Sequence, residues 1–194
     1  MNLSAKTILS TEFGDFDLKV FQDEQGREHL ALSQGDLNST EPVLTRLQSE
    51  CITGEVFHSL HCDCGSQLIK AMTAIGQAGR GLLIYLRQEG RDIGLTNKIK
   101  AYELQRQGMD TLEANVALGF PPDARHYDAA VEILQNLGVQ SIKLLTNNPD
   151  KIAQLENLGI IVAERVPLEI PPNGFDNAYL RVKKNKMGHW LNQV

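Results

Sequence analysis

The second half of the chain is punctuated in a way that leaves few folds open. Ile142 to Leu145 is a short strand-like run, and Asn148 and Pro149 suit the N-cap and first position of a helix. Gly159 closes that helix, and Ile160 to Val166 reads as another strand. Strand, helix and strand in this order form a βαβ unit, whose strands lie parallel with a right-handed crossover. A further run, Gly81-Leu82-Leu83-Ile84-Tyr85-Leu86, shows no polar alternation, the mark of a strand covered on both faces. Helices to cover it are at hand: Gly65 to Ala78 ending at Gly79, Asn97 to Gln107 closed by Gly108, and Ala124 to Leu137 stopped by Gly138. The last of these sets Tyr127, Val131, Leu134 and Leu137 on one stripe. The first 50 residues differ, with Gly14 to Val20 alternating apolar and polar and His29 to Ser33 as a short partner strand. The expected fold is α/β: three layers, α/β/α, around a mixed, partly parallel sheet whose N-terminal part is richer in antiparallel strands.

A chain of 194 residues with 42% hydrophobic side chains suits one sizeable domain, expected over residues 1–170. Residues 171–194 hold Pro171-Pro172-Asn173-Gly174 and Lys183-Lys184-Asn185-Lys186, and are expected to be mobile unless they dock. Acidic residues outnumber basic ones, 24 to 19, so the chain as a whole is no footprint for nucleic acid. Any polyanion must be met by a local basic cluster. No stretch approaches membrane-spanning length and the first residues lack a signal-peptide core, so a cytoplasmic protein without a membrane partner is expected.

Cys51, Cys62 and Cys64 are the only cysteines, spaced C-x10-C-x-C. An odd count argues against a disulfide framework. Three thiolates can instead hold a soft metal and leave a fourth tetrahedral position open, as catalytic zinc sites do. The plain alternative is that the cysteines are small buried hydrophobes. His58 and His61 are rival ligands, though each reads more readily as a surface histidine.

In open parallel sheets, ligands bind in the loops past the carboxyl ends of strands. Two polar loops hold that place, Arg87–Gly94 and Thr146–Asp150. Arg87 and Arg91, in a glycine-hinged loop, suit a phosphate, whereas Lys98 and Lys100 read as a solvated surface. Asp123 reads as an N-cap for the helix that follows and Arg125 as an exposed first-turn residue. Tyr102 alone would be a core or surface-tip tyrosine. Thr146 and Lys151 flank a helix start that could cradle a phosphate or simply cap.

Taken together, Pro42-Val43-Leu44-Thr45-Arg46, Ser49-Glu50-Cys51-Ile52-Thr53-Gly54-Glu55 and Cys62-Asp63-Cys64-Gly65 resemble GTP cyclohydrolase II. So do Arg87 to Leu95, Asn97-Lys98-Ile99, Leu144 to Pro149, and Lys186-Met187-Gly188-His189, all in the same order. The resemblance implies an enzyme that hydrolyses GTP to 2,5-diamino-6-ribosylamino-4(3H)-pyrimidinone 5′-phosphate, formate and pyrophosphate, opening riboflavin biosynthesis. It implies one Zn2+ per subunit on Cys51, Cys62 and Cys64, with Mg2+ on the GTP triphosphate, and a homodimer. It assigns Arg125 as nucleophile, Asp123 as proton acceptor and Tyr102 as a hydroxyl beside the attacking water. A guanidinium is protonated at ordinary pH, so electrostatic stabilisation of the α-phosphate is the chemically simpler role for Arg125. Substrate contacts are implied for Arg46, Leu47, Gln48, Ser49 and Glu50, and for Gln67, Glu89, Gly90 and Arg91. Thr111, Thr146 and Lys151 complete that set, with Gln67 or Glu89 as the reader of guanine. Gln48 stands where histidine is usual in the family, and His61 where arginine is. The alternatives are a relative that stops at a formamidopyrimidine, a non-catalytic nucleotide-binding paralogue, or a structural zinc module with a histidine as fourth ligand.

Overall fold

The computed structural model describes all 194 residues. Seven strands form one sheet: β1 (Asn2–Thr11), β2 (Gly14–Gln22), β3 (Glu28–Gln34), β4 (Val43–Ser49), β5 (Gly81–Leu86), β6 (Ser141–Leu145) and β7 (Ile161–Val166). Their spatial order is β1-β2-β3-β5-β4-β6-β7. The first three strands are antiparallel, and β3 joins β5 antiparallel as well. From β5 through β4 and β6 to β7 every pairing is parallel. The sheet is thus mixed, with its antiparallel part N-terminal, as expected.

The helices are α1 (Ile52–Glu55), α2 (Cys64–Ala78), α3 (Glu89–Asp92), α4 (Leu95–Arg106), α5 (Thr111–Ala117), α6 (Asp128–Asn136), α7 (Pro149–Asn157) and α8 (Asn177–Met187). Strand β5 shows why both faces are covered. Leu82, Ile84 and Leu86 point into a core with Val131, Ile133 and Leu134 of α6 and Leu155 of α7. Leu83, one residue out of phase, packs on the other side with Ala71 and Ile75 of α2. These two cores are the two outer interfaces of a three-layer sandwich. Asn148 caps α7 by accepting from the Asp150 backbone N–H at 3.0 Å, with Pro149 at the first helical position.

Two expectations change. The helix expected from Ala124 begins at Asp128, because the Asp123 carboxylate is taken by Arg125 and cannot cap a helix start. Lys98, read as solvated, is buried. Residues 171–194 carry α8, which buries Leu180 and Lys183 against the domain, and Leu191 is buried beyond it. No helix is long and apolar enough to cross a membrane.

Candidate active site

Two short segments bring the cysteines together. Cys51 follows β4 and opens α1, and Cys64 opens α2 with Cys62 in the turn before it. The segments can meet because each contributes a glycine at the contact. A Cβ at Gly65 would lie 2.3 Å from the Gly54 carbonyl oxygen, and one at Gly54 would lie 2.7 Å from Cys62 Sγ. The Cys51 and Cys62 sulfurs are 3.7 Å apart, far beyond the ~2.05 Å of a disulfide. All three sulfurs lie within 4.8 Å of one another, and neither His58 nor His61 joins the group.

The electrostatics of this cluster favour one thiolate among the three. Hydrogen bonds from Cys62 and Cys64 push the Cys51 pKa down against the opposing effect of burial, and the Lys98 ammonium pushes the same way. The bond with Cys51 raises Cys62 to about 11 and raises Cys64 as well. Two protons therefore remain on the cluster, and a bound cation would displace them. Lys98 Nζ donates to Cys51 Sγ at 3.1 Å and to Glu89 Oε1 at 2.7 Å. Glu89 Oε2 accepts from the Ile52 N–H at 2.7 Å, fixing the chain just after Cys51. Tyr102 Oη lies 3.2 Å from Thr53 Oγ1, which is 3.7 Å from Cys51 Sγ. Burial raises the Tyr102 pKa and keeps the phenol protonated.

The cluster opens on a cleft of about 1130 Å3, part of it open to solvent. It lies past the carboxyl ends of β4, β5 and β6, on the two loops expected to hold it. In one of them Gly90, Arg91 and Asp92 all take positive φ, at 65°, 63° and 69°. Two consecutive non-glycine residues in that region are strained, and here the strain aims Arg91 into the cleft.

Cations line the far side. Arg46 is buried, donating to Gln48 Oε1 and, at 2.9 Å, to the Leu145 carbonyl. Burial lowers its pKa to about 10, which leaves it charged at neutral pH. Arg125 makes a fork with Asp123, Nε to Oδ1 at 2.8 Å and a terminal nitrogen to Oδ2 at 2.5 Å. Burial opposes that charge, but Tyr127 and Asp123 outweigh it and raise the pKa, so the guanidinium stays protonated. Lys151 is the opposite case. Burial, with Arg46 and Arg125 nearby, drives its pKa well down, and its Nζ donates to the Leu47 carbonyl at 2.8 Å. Lys183 reaches in from α8 and pairs with Asp63 at 2.8 Å.

The expected site residues mostly converge. Arg46, Gln48, Ser49, Glu50, Gln67, Glu89, Gly90, Arg91, Thr111, Thr146 and Lys151 all line the cleft, with Tyr102, Arg125 and the three cysteines. Leu47 is wholly buried and offers only its backbone, and Asp123 stands behind Arg125. Both proposed guanine readers already have partners. Gln67 accepts from Arg46 at 2.6 Å and donates to Asp63 at 2.5 Å, and Glu89 is bonded to Lys98 and two backbone N–H groups. Arg87 points away, exposed and paired with Glu50. Sequence reasoning gave no role to Lys98, Lys183, Tyr179 or His189, all of which line the cleft. The motifs Asn97-Lys98-Ile99 and Lys186–His189 were the available signals.

A protonated arginine and further cations facing a three-thiol cluster, on the loops of a parallel sheet, define an α/β protein built to hold an anionic ligand beside a metal-ready centre. The chain belongs to the GTP cyclohydrolase II family, whose sequence profile matches residues 2–167. It is 52% identical over 193 residues to the GTP cyclohydrolase-2 of Neisseria meningitidis serogroup A, covering 100% of this chain and 98% of that one. With the GTP cyclohydrolase-2 of Shewanella loihica it shares 50% identity over 190 residues, covering 97% and 93%. A riboflavin biosynthesis protein RibBA of Bacillus velezensis is 53% identical over 193 residues, spanning 98% of this chain but 48% of that longer protein.

Proposed function

We propose that the protein hydrolyses GTP to 2,5-diamino-6-ribosylamino-4(3H)-pyrimidinone 5′-phosphate, formate and pyrophosphate, the entry step of riboflavin biosynthesis. The observation that carries this reading is the juxtaposition of the three-thiol cluster and a ring of cationic side chains in one cleft.

Cys51, Cys62 and Cys64 would hold zinc. The fit rests on their spacing: ligands about 2.3 Å from a tetrahedral centre lie about 3.8 Å apart, against 3.7 Å for Cys51 and Cys62. Zinc, when bound, supplies Lewis-acid activation of a water for attack at C8 of guanine and then on the formamide. Tyr102, protonated and 3.2 Å from Thr53 Oγ1, is placed to hold or pass a proton at its phenol oxygen. Glu89 and Lys98 fix the Cys51 strand end and balance the sulfur charge.

At the other end, Arg46, Arg91 and Arg125 bind and orient the phosphates. Arg125 acts through its charge on the α-phosphate, because Asp123 holds it protonated. Asp123 orients that guanidinium with two parallel bonds rather than accepting its proton. Mg2+ would arrive on the triphosphate. Glu89 and Glu50, the carboxylates that line the cleft, are engaged by Lys98 and Arg87 and are not free to hold it. A homodimer fits the exposed apolar side chains of Phe57 and Ile8, which a second copy could cover, and sedimentation measures it.

The test is to incubate zinc-loaded protein with GTP and Mg2+ and to quantify formate, pyrophosphate and the diaminopyrimidine. Equal yields of all three support the reading. Formate without pyrophosphate would point to a different product, and no turnover would reject the reading.

A further inference from the structure

We propose that His189 is a phosphate-binding residue of this cleft, its Nε2 donating a hydrogen bond to the phosphate chain of the nucleotide. The inference rests on the GTP reading for its ligand. It concerns a segment that the family profile, ending at residue 167, does not reach.

His189 is held in place from several sides. Helix α8 ends at Gly188, whose φ of 66° reverses the chain. The His189 N–H then donates back to the Lys183 carbonyl at 3.0 Å. The next residue, Trp190, donates its N–H to the Asn147 carbonyl at 2.9 Å, and its ring lies 4.8 Å from the Arg165 guanidinium. Leu191 is buried. The backbone at His189 is therefore fastened beside the loop between β6 and α7, and the residue lines the cleft.

Its Nε2 is buried and has no hydrogen-bond partner within the protein. Buried polar atoms are nearly always satisfied, and an exception in a ligand cleft calls for a group from outside the chain. The charges around the ring say what kind. Burial pulls the His189 pKa down to about 3, and Lys183, Arg125, Lys151 and Arg91 add to the fall. Lys183, Arg125 and Arg91 line the same cleft and attract an anion, while burial keeps the ring neutral. A neutral imidazole can offer an N–H to a phosphate oxygen without adding a further charge to the crowded cleft. Lys183 ties the same helix to Asp63, between two of the cysteines, so α8 spans the distance from the thiol cluster to the cations.

The experiment compares the full-length, zinc-loaded wild type with His189→Phe, which keeps the ring volume and removes the donor, and with His189→Gln, which restores an N–H at similar reach. Binding of inorganic pyrophosphate and of guanosine is measured by calorimetry, with KM and kcat for GTP. The Phe variant should bind pyrophosphate about tenfold more weakly and raise KM for GTP by a similar factor, as loss of one hydrogen bond to a charged group implies. Guanosine affinity should not move, and the Gln variant should recover most of the loss. Unchanged pyrophosphate affinity, or equal losses for pyrophosphate and guanosine, would overturn the proposal. Should the Phe variant fail to fold, as judged by its melting transition, His189→Ala takes its place in the same comparison. A wild type that binds pyrophosphate but does not turn over GTP would reject the catalytic reading and leave the test of His189 intact.

Discussion

Lys98 Nζ sits 3.1 Å from Cys51 Sγ and 2.7 Å from Glu89 Oε1, buried between a sulfur and a carboxylate. Three thiolates around a divalent cation leave one excess negative charge, and an ammonium at this distance offsets it. Outer partners of this kind also fix the direction in which a ligand atom points. Lys98→Met removes the charge and keeps most of the side-chain volume. It should weaken zinc binding by about 10- to 100-fold, measured by competition with a chromophoric chelator. Wild-type zinc affinity in that variant would reduce Lys98 to a packing role.

Gly54 is the tightest point of the thiol cluster. A methyl there would meet Cys62 Sγ at 2.7 Å and Cys51 Sγ at 3.3 Å. Gly54→Ala should therefore spread the sulfurs and lose stoichiometric metal while the two sheet cores stay folded. Metal content by emission spectroscopy, together with the thermal melt, checks both halves of that statement. A fully metallated Gly54→Ala protein would contradict it.

The fork between Arg125 and Asp123 depends on a planar guanidinium with two parallel donors. Arg125→Lys retains charge and loses the fork. Pyrophosphate release should fall on the order of 100-fold in kcat, the size of effect seen when a donor to a developing negative charge is removed. An Arg125→Lys enzyme with wild-type pyrophosphate release would eliminate any specific guanidinium role.

Lys151 gives the cleft a pH dependence of definite sign. Its pKa in the free protein is depressed, chiefly by burial and then by Arg46 and Arg125. An arriving phosphate stabilises the ammonium and raises that pKa, so binding takes up a proton wherever the pH lies between the free and bound values. Affinity for nucleotide should then decline as pH rises above the free-state pKa. Calorimetry in buffers of differing ionisation enthalpy should report net proton uptake, and Lys151→Met should abolish it. Uptake that persists in that variant would place the proton elsewhere.

Much of this architecture is legible in the residues. Leu82 to Leu86 could hardly be anything but a doubly covered strand, and Asn148-Pro149 marks the start of α7 to the residue. The odd cysteine count already pointed to a shared cation. What stayed hidden follows from one physical cause: periodicity reports burial only where the buried face is apolar. Helix α4 buries Lys98 and exposes Ile99 and Leu95, so its pattern is inverted by the site it serves. Helix α8 does the same with Lys183, and its run of lysines reads as a solvated tail. Strand β1 is exposed along nearly its whole length, so it shows no clear alternation. Asp123 and Arg125 pair within three residues, and that local fork is indistinguishable in sequence from a capping aspartate beside a surface arginine.

No residue before Arg46 lines the cleft, although β1, β2 and β3 make up three of the seven strands. The sheet is in effect a workshop with an attached wall: the wall stiffens the room and meets the tools only from behind, where Arg27 pairs with Asp92 and His29 accepts from the Arg87 N–H. Substitutions or fluorophores at Asp15 or Asp17, exposed on β2, should leave turnover unaltered, which makes that strand a natural place to anchor the molecule to a surface or reporter.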